Sequence, residues 1–268
     1  MDVGAEYDHY TADVTRTFPI NGKFTKEQAE IYQIVFDAQE AAAKTIKPGA
    51  RFSQPSQAAA EVIKNGLARL GLITAPDAKF EISSNGQTVQ YPQYLLWYMH
   101  GWGHWLGMNV HDVGDYSTTF QPGMVMTNEP GIYIRGDALD YVIDTPTNKD
   151  FIAKIKQAFE KYKNIGVRIE DDMLVTETGT EWMTKALPRT IADVEAFMAK
   201  ASKEVPYTAM LNKNLNPRLA VFGREEKAFL PENFINIPQG ETERRGWIWA
   251  GKNTAQSGLS HVSHLHGE

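Results

Sequence analysis

Apolar residues recur at helical spacing in two neighbouring segments near the start of the chain. Thr25 and Gln28 form a capping box that opens the first segment, and Pro48-Gly49 ends it. The second segment starts after Ser53 and stops at Gly71. The predicted buried faces consist of Ile31, Val35, Ala38, Ala42 and Ile46, and of Ala58, Val62, Ile63, Leu67 and Leu70. Because few residues separate the two helices, we expect them to pack together on one side of a sheet.

From about residue 91 the pattern changes to short extended segments. A helix interrupts them, because four apolar residues recur at helical spacing within residues 150–162. The predicted strands cover residues 104–111, 124–128, 132–134, 167–169 and 173–176. Helix pairs combined with antiparallel-looking strands predict an α+β fold.

Residues 2–20 are predicted to form a β-hairpin with Tyr7-Asp8-His9 as its polar turn. A centre between Tyr7 and Asp8 places Asp2 directly opposite Asp13. Paired residues lie about 4.5–5.5 Å apart at Cβ, and like charges there repel each other. This pair therefore needs a cation or a shared proton. The alternative is two exposed acids at strand ends, in a different register.

The periodicity weakens after about residue 200. Prolines at positions 206, 217, 231 and 238 interrupt the sequence, and the last eighteen residues are rich in Gly, Ser and His. We therefore expect one domain over residues 1–200 and an irregular extension over 201–268.

The composition excludes several classes of function. The 268-residue chain has a net charge of −6 and no basic run, which argues against a nucleic-acid partner. It has no cysteine, so disulfides, thiolate metal sites and cysteine nucleophiles are excluded. No apolar run approaches the roughly 18–20 residues that cross a bilayer. No signal peptide is visible, so no membrane partner is expected and the cytoplasm is the default compartment.

Three histidines lie within residues 100–111, and glycines flank them. His100 and His104 have the spacing of a zinc-protease helix, but the glycines favour a turn and the required glutamate is lacking. His104 and His111 would lie on opposite faces of a straight strand, which predicts different roles. For each histidine alone, a packed and hydrogen-bonded side chain is the alternative.

Two glutamates follow strand-like segments. Glu129 precedes Pro130, which holds its backbone extended, and Glu170 shares a strand face with Arg168. An arginine beside a metal-binding carboxylate suits a contact with that ligand or with a substrate carboxylate, whereas a surface ion pair is the alternative. The candidate ligands suit two hard divalent cations, and they are Asp2, Asp13, His104, Glu129 and Glu170.

Four segments together resemble the pita-bread metallopeptidases, in particular the aminopeptidase P and prolidase branch. The motifs are DVGAEY with ADVTRTFP, HGWGHWLG with VHDVG, PGM with TNEPG, and GVRIEDD. They occur in family order, and the likeness spans about residues 2–200. It implies a curved antiparallel sheet covered by helices. It also implies hydrolysis of the peptide bond between an N-terminal residue and proline.

The resemblance assigns roles to the five candidate ligands. Asp13 and Glu170 would bridge two metal ions, Asp2 would complete one site, and His104 with Glu129 would complete the other. A hydroxide between the ions would be the nucleophile, and Glu129 would carry its proton. Ligand hardness favours Mn²⁺, with Zn²⁺ or Co²⁺ as alternatives.

The resemblance implies three further catalytic side chains. His111 would contact the scissile peptide and steady the tetrahedral intermediate, while His100 and Arg168 would line the proline side of the cleft. The expected partner is a peptide with proline in second position. A homodimer and the choice between aminopeptidase and dipeptidase stay open.

The sequence also departs from that family. The elements that precede the first aspartate are absent, and a helix enlarges the segment between Glu129 and Glu170. We therefore expect a piece of a longer peptidase. The alternatives are a catalytically impaired fragment, a non-enzymatic binding protein on this scaffold, and metal-free creatinase-like hydrolysis, which the retained ligands disfavour.

Overall fold

Helices and short antiparallel strands alternate through residues 1–204, the part of the chain that the computed structural model describes. The strands are β1 (Asp2–Val3), β2 (Glu6–Tyr7), β3 (Tyr10–Thr11), β4 (Val14–Thr15), β5 (Lys79–Ser84), β6 (Gln87–Pro92), β7 (Val125–Asn128), β8 (Gly131–Ile134), β9 (Ile165–Arg168), β10 (Asp171–Val175) and β11 (Thr180–Trp182). The helices are α1 (Lys26–Ala43), α2 (Ser53–Leu70), α3 (Pro146–Tyr162) and α4 (Ile191–Glu204), with two short 3-10 helices at Gln93–Leu96 and Ala138–Tyr141. The α+β prediction is confirmed.

The N-terminal hairpin forms, but its predicted register is wrong. Tyr7 pairs with Tyr10, and Asp2 pairs with Thr15 rather than with Asp13. The turn is Asp8-His9, and both residues adopt positive φ angles of 48° and 70°. A two-residue turn with this backbone matches the twist of the strands. It moves the centre by one residue and places Asp13 diagonally across from Asp2, on the same face.

The first two helices are confirmed. Thr25 and Gln28 form the capping box of α1, and Gly71 ends α2 in the left-handed conformation. α1 ends at Ala43, before the predicted Pro48-Gly49, yet Ile46 is still buried. α1 packs against α2 on one side and against β8 and β9 on another. The helices thus cover the sheet region that carries the site.

Two antiparallel ladders follow each other end to end near α1. β7 pairs with β10, which also pairs with β11, while β8 pairs with β9. Asn128 faces Asp171 and Gly131 faces Arg168 in a continuous register. Glu129 therefore falls opposite Glu170, at the point where both chains pass from one ladder to the other. The facing pair of carboxylates is thus Glu129 and Glu170, whereas the sequence predicted such a pair in the hairpin, between Asp2 and Asp13.

The predicted strand over residues 104–111 is wrong. This segment is irregular, and one bridge joins Trp105 to Met126 of β7. Gly103 lies against β7 so closely that a Cβ there would be 2.2 Å from the Thr127 carbonyl oxygen. Such a close backbone approach requires glycine at position 103, immediately before the predicted strand.

Three elements extend or add to the sequence interpretation. α3 starts four residues before the predicted position 150, with Thr145 as its N-cap and Pro146 in the first turn. The β5–β6 hairpin was not predicted, although its Asn85-Gly86 turn is a strong hairpin signal. α4 was also not predicted, and the extension expected over 201–268 lies outside the described residues from 205 onward.

Two hydrophobic clusters support the site from different sides. The larger one joins α1, α2 and α3 to β8 and β9, with Trp97 fully buried. The smaller one is aromatic, and its members include Phe52, Trp102, Trp105 and Phe120. Of the helices within residues 1–204, none has the length and apolar character that crossing a membrane requires.

Replacement of Gly66 by alanine tests the contact between α1 and α2. A Cβ at Gly66 would lie 2.7–2.8 Å from three side-chain carbons of Ile34, which is buried. Overpacking costs about 1–3 kcal/mol, more than the roughly 1 kcal/mol of helix propensity gained. We expect Gly66→Ala to lower the free energy of unfolding measured with denaturant. Adding Ile34→Ala should cost less than the two single effects combined, and a stabilised Gly66→Ala protein would contradict this packing.

Candidate metal centre

The five predicted ligands converge on one place. Single ligand atoms of His104, Glu129 and Glu170 lie within 4.8 Å of one another, and the same holds for Asp2, Asp13 and Glu170. Glu170 belongs to both groups. His104 also joins the two groups. Its Nε2 lies 3.5 Å from Asp13 Oδ2 of the other group and 3.2 Å from Glu129 Oε1 of its own group. The arrangement brings four carboxylates and one imidazole around a shared centre.

Backbone hydrogen bonds between distant segments fix this convergence. The Glu170 N–H donates to the Thr15 carbonyl at 3.1 Å, which joins the N-terminal hairpin to the start of β10. The Glu129 N–H donates to the Trp102 carbonyl at 2.7 Å, which joins the end of β7 to the histidine loop. The ligands thus sit at strand ends, where the main chain is held from both sides.

His104 is oriented by its second ring nitrogen. Its Nδ1 lies 2.9 Å from the Trp105 carbonyl oxygen and donates to it, which leaves the Nε2 lone pair facing Asp13 and Glu129. Metal-binding histidines almost always donate their other N–H in this way. Burial lowers the pKa of His104, but the hydrogen bonds to Asp13 and Trp105 and the charges of Glu129 and Asp13 together outweigh burial, so in the metal-free chain this pKa is raised.

Two threonine hydroxyls orient the glutamates, and the sequence interpretation missed both. Thr15 Oγ1 donates to Glu170 Oε2 at 2.5 Å, and Thr127 Oγ1 donates to Glu129 Oε1 at 3.1 Å. Thr127 Oγ1 also accepts the N–H of His104. The motif TNE places Thr127 two residues before Glu129 on the same strand face, which was the available signal.

The carboxylates are crowded and largely removed from water. Glu170 is 2% exposed, and burial, with help from the charges of Glu129 and Asp13, raises its pKa to about 9. Burial also raises the pKa of Glu129 and of Asp2. Without a cation, carboxylates this close cannot all ionise near neutral pH. The donor set therefore fits divalent cations, since oxygen-rich sites with one imidazole suit hard to borderline metals.

Arg168 lies among the carboxylates. Its guanidinium pairs with Asp2, and its Nη1 and Nε lie 3.8 Å from Glu129 and Glu170 respectively. The predicted neighbourhood of Arg168 and Glu170 is thus a buried contact rather than a surface ion pair.

His100 lies at the edge of the centre, but its ring nitrogens are occupied. Nδ1 contacts the Gly101 carbonyl oxygen and Nε2 the Tyr133 hydroxyl, each at 2.7 Å. Burial lowers the pKa of His100 to about 4, so the ring is neutral and donates to Gly101 while Tyr133 donates to it. Tyr133 was missed from the sequence, where it appears as an ordinary strand residue of GIYI.

His111 lies beside His104 rather than on an opposite face. Their ring centroids are 4.3 Å apart with a perpendicular arrangement, because the irregular loop folds back. His111 is exposed as a residue, but its ring is partly shielded from water, and this partial burial together with His104 lowers its pKa, so the ring is neutral near pH 7. An accessible neutral imidazole beside the ligands can donate a hydrogen bond to a bound molecule.

Asp171 holds the base of the centre, and the sequence interpretation gave it no role. Its fully buried carboxylate accepts hydrogen bonds from Arg16 at 2.7 Å, Gln39 at 2.9 Å and Thr184 at 2.5 Å. Arg16 in turn donates to the Glu170 carbonyl at 2.6 Å. The adjacent Asp172 accepts the Asp13 N–H at 3.3 Å. These contacts tie the segments of Asp13 and Glu170 together.

Comparison with protein families matches residues 1–177 to the description "Metallopeptidase family M24". The chain belongs to this family. As metallopeptidases, M24 proteins use divalent metal ions, which agrees with the donor set.

Relatives of this M24 chain are named as Xaa-Pro peptidases. It is 41% identical over 202 residues to a Xaa-Pro aminopeptidase of Haemophilus influenzae, covering 74% of this chain and 41% of that protein. It is 34% identical over 228 residues to a Xaa-Pro dipeptidase of Mus musculus, covering 78% of this chain and 44% of that protein. The chain therefore spans about two fifths of the length of the curated relatives it matches.

Solved structures give the same family branch. The aminopeptidase PepP of Pseudomonas aeruginosa matches with a TM-score of 0.59 and 40% identity, over 75% of this chain and 41% of that one. The predicted pita-bread fold and the aminopeptidase P and prolidase branch are confirmed.

Glu170→Gln tests whether repulsion between carboxylates limits the metal-free protein. A pKa raised to about 9 stabilises the folded state fully below the ordinary value of 4.5, and this stabilisation is lost as pH rises from 4.5 towards 9. The slope for one proton is at most about 1.4 kcal/mol per pH unit. At pH 8 the metal-free Gln variant should therefore unfold at a higher temperature than the wild type, yet gain less stability from Mn²⁺ than the wild type gains.

The control is Glu160→Gln, since Glu160 is exposed on α3 and pairs with Lys163. It should follow the wild type with and without Mn²⁺. A Glu170→Gln protein that is less stable than the wild type at pH 8 without metal would contradict the proposed repulsion.

Proposed function

We propose that this chain carries the catalytic centre of a Xaa-Pro exopeptidase, which hydrolyses the bond between an N-terminal residue and a following proline. The observation that carries the proposal is the convergence of four carboxylates and one imidazole in two groups that share Glu170. The names of the M24 relatives supply the substrate class.

The five side chains would hold two divalent cations. Asp13 and Glu170 would be shared, Asp2 would complete one site, and His104 with Glu129 would complete the other. Two such cations supply an activated nucleophile at neutral pH and polarise the scissile carbonyl. Four carboxylates against one imidazole favour Mn²⁺, with Zn²⁺ and Co²⁺ as alternatives.

Glu129 would move the proton. Its Oε1 accepts from Thr127 and faces His104, while Oε2 is directed toward Arg168 and His100 at 3.8 and 3.9 Å. A carboxylate held in this way can take a proton from the attacking water and pass it to the proline nitrogen that leaves. The leaving nitrogen needs that proton because an amine anion is a poor leaving group, whereas the protonated nitrogen departs as the neutral amine of proline.

His111 would contact the scissile peptide. Its neutral ring stands beside His104, so it can donate a hydrogen bond to an oxygen that becomes negative in the transition state. His111 needs no proton exchange for this role, since a neutral imidazole always carries one N–H.

His100, Tyr133 and Arg168 would form the wall on the proline side. Because both ring nitrogens of His100 are occupied, this histidine would act through its ring face and by orienting Tyr133. An apolar ring face suits the pyrrolidine ring of proline. Arg168 would supply the charged end of this wall.

The test is reconstitution with Mn²⁺ followed by hydrolysis of a Xaa-Pro peptide. We expect about two bound equivalents and release of the first residue. His111→Ala should keep both equivalents and lose about 10²–10³-fold in kcat, as expected for a group that stabilises developing negative charge. Glu170→Ala should lose at least one equivalent and all hydrolysis.

Comparing a Xaa-Pro dipeptide with a longer Xaa-Pro peptide separates dipeptidase from aminopeptidase specificity. Glu160→Ala is the matched control and should match the wild type. A wild-type chain that binds two Mn²⁺ and cleaves neither peptide would refute the peptidase proposal and favour a binding role on the same scaffold.

A further inference from the structure

The guanidinium of Arg168 occupies the position of a counter-ion inside the candidate metal centre. It pairs with Asp2 and lies 3.8 Å from one carboxylate oxygen each of Glu129 and Glu170. Three of the four candidate carboxylates thus surround one side chain. That side chain is only 20% exposed, so solvent screens its charge incompletely.

The position of Arg168 is fixed by the fold. The residue ends β9, where its N–H donates to the Thr17 hydroxyl at 3.2 Å and its Nε donates to the Thr15 hydroxyl at 3.1 Å. Thr15 also donates to Glu170. The guanidinium of Arg168 is therefore held in a defined position against the carboxylates.

No other arginine or lysine takes this role within residues 1–204. Ion pairs from arginine or lysine to Asp2, Glu129 or Glu170 all come from Arg168 in this region. Arg16, the other nearby arginine, pairs with Asp171 and donates to backbone carbonyls. His104 can add a positive charge only when it is protonated.

We propose that Arg168 competes with the divalent cations for Asp2 and thereby sets the metal affinity of the centre. In the metal-free chain the guanidinium offsets the repulsion between carboxylates. With cations held by the centre, Asp2 would serve them instead of Arg168, and the Arg168 guanidinium would be available to an oxygen of the substrate. This inference rests on the ligand set of the proposed function.

The direction in which replacement of Arg168 changes the metal affinity distinguishes competition for Asp2 from simple positioning of Asp2. A residue that only orients Asp2 would, when removed, weaken metal binding, commonly by about 10–100-fold. A competing charge acts in the opposite direction. Its removal raises the repulsion in the metal-free state and also removes repulsion between guanidinium and metal in the bound state, so binding tightens.

The experiment is calorimetric titration of Mn²⁺ into the metal-free full chain at fixed pH. We expect Arg168→Gln to bind Mn²⁺ about tenfold more tightly than the wild type, a coupling of ordinary size between two ligands of one group. Arg168→Lys keeps the charge and should stay close to the wild type. Arg135→Gln is the matched control, because Arg135 pairs with Asp137 and not with the candidate ligands. Equal or weaker binding by Arg168→Gln would overturn the proposal.

A second measurement uses no metal. In a double-mutant cycle on the metal-free chain, Arg168→Gln should destabilise the wild type more than it destabilises Asp2→Asn, because the pair is already broken in that background. Equal effects in both backgrounds would also overturn the proposal. Failure of peptide hydrolysis with these binding results intact would refute the peptidase function alone.

Discussion

Repulsion between buried carboxylates is the constraint on which the rest of this structure depends. Two unit charges 4 Å apart interact by about 4 kcal/mol at an effective dielectric constant of 20, and Glu170 faces such charges while only 2% exposed. The chain tolerates this because its main chain is clamped from outside the cluster. The buried pair of Arg16 and Asp171 is one such clamp, and breaking a buried pair costs roughly 3–5 kcal/mol.

Neighbouring residues take the two roles, because one is a candidate metal ligand and the next holds the main chain in place. Glu170 turns into the centre, whereas Asp171 turns away from it and receives Arg16, Gln39 and Thr184. Alternation along an extended chain makes this possible, because successive side chains point to opposite faces. The segment of Glu170 and Asp171 therefore carries both a carboxylate whose repulsion favours metal binding and the contacts that keep the metal-free chain folded.

The sequence predicted the helices and the residues of the site well, but it did not predict the geometry in which those residues meet. Helical periodicity and a capping box at Thr25 are local signals, and α1 begins where they place it, while α2 begins one residue earlier than predicted, at Ser53. The hairpin register was wrong because it depends on the turn, and Asp8-His9 adopts a backbone that few non-glycine pairs adopt. One residue of displacement in the turn centre changed the partner of Asp2.

Other features of the site had no local signal at all. Arg16 and Asp171 are 155 residues apart, so their pairing follows from the assembled fold. The facing positions of Glu129 and Glu170 depend on the shared register of two ladders. The five candidate ligands were found through motifs that resemble a known family, and spacing alone would not have brought them together.

We propose that two cations share Glu170 and Asp13. Diffraction from crystals grown with Mn²⁺, measured on both sides of the manganese absorption edge, tests this sharing. We expect two anomalous peaks about 3.5–4 Å apart, with carboxylate oxygens of Glu170 and Asp13 between them. A single peak, or two peaks of which one makes no contact with Glu170, would contradict it.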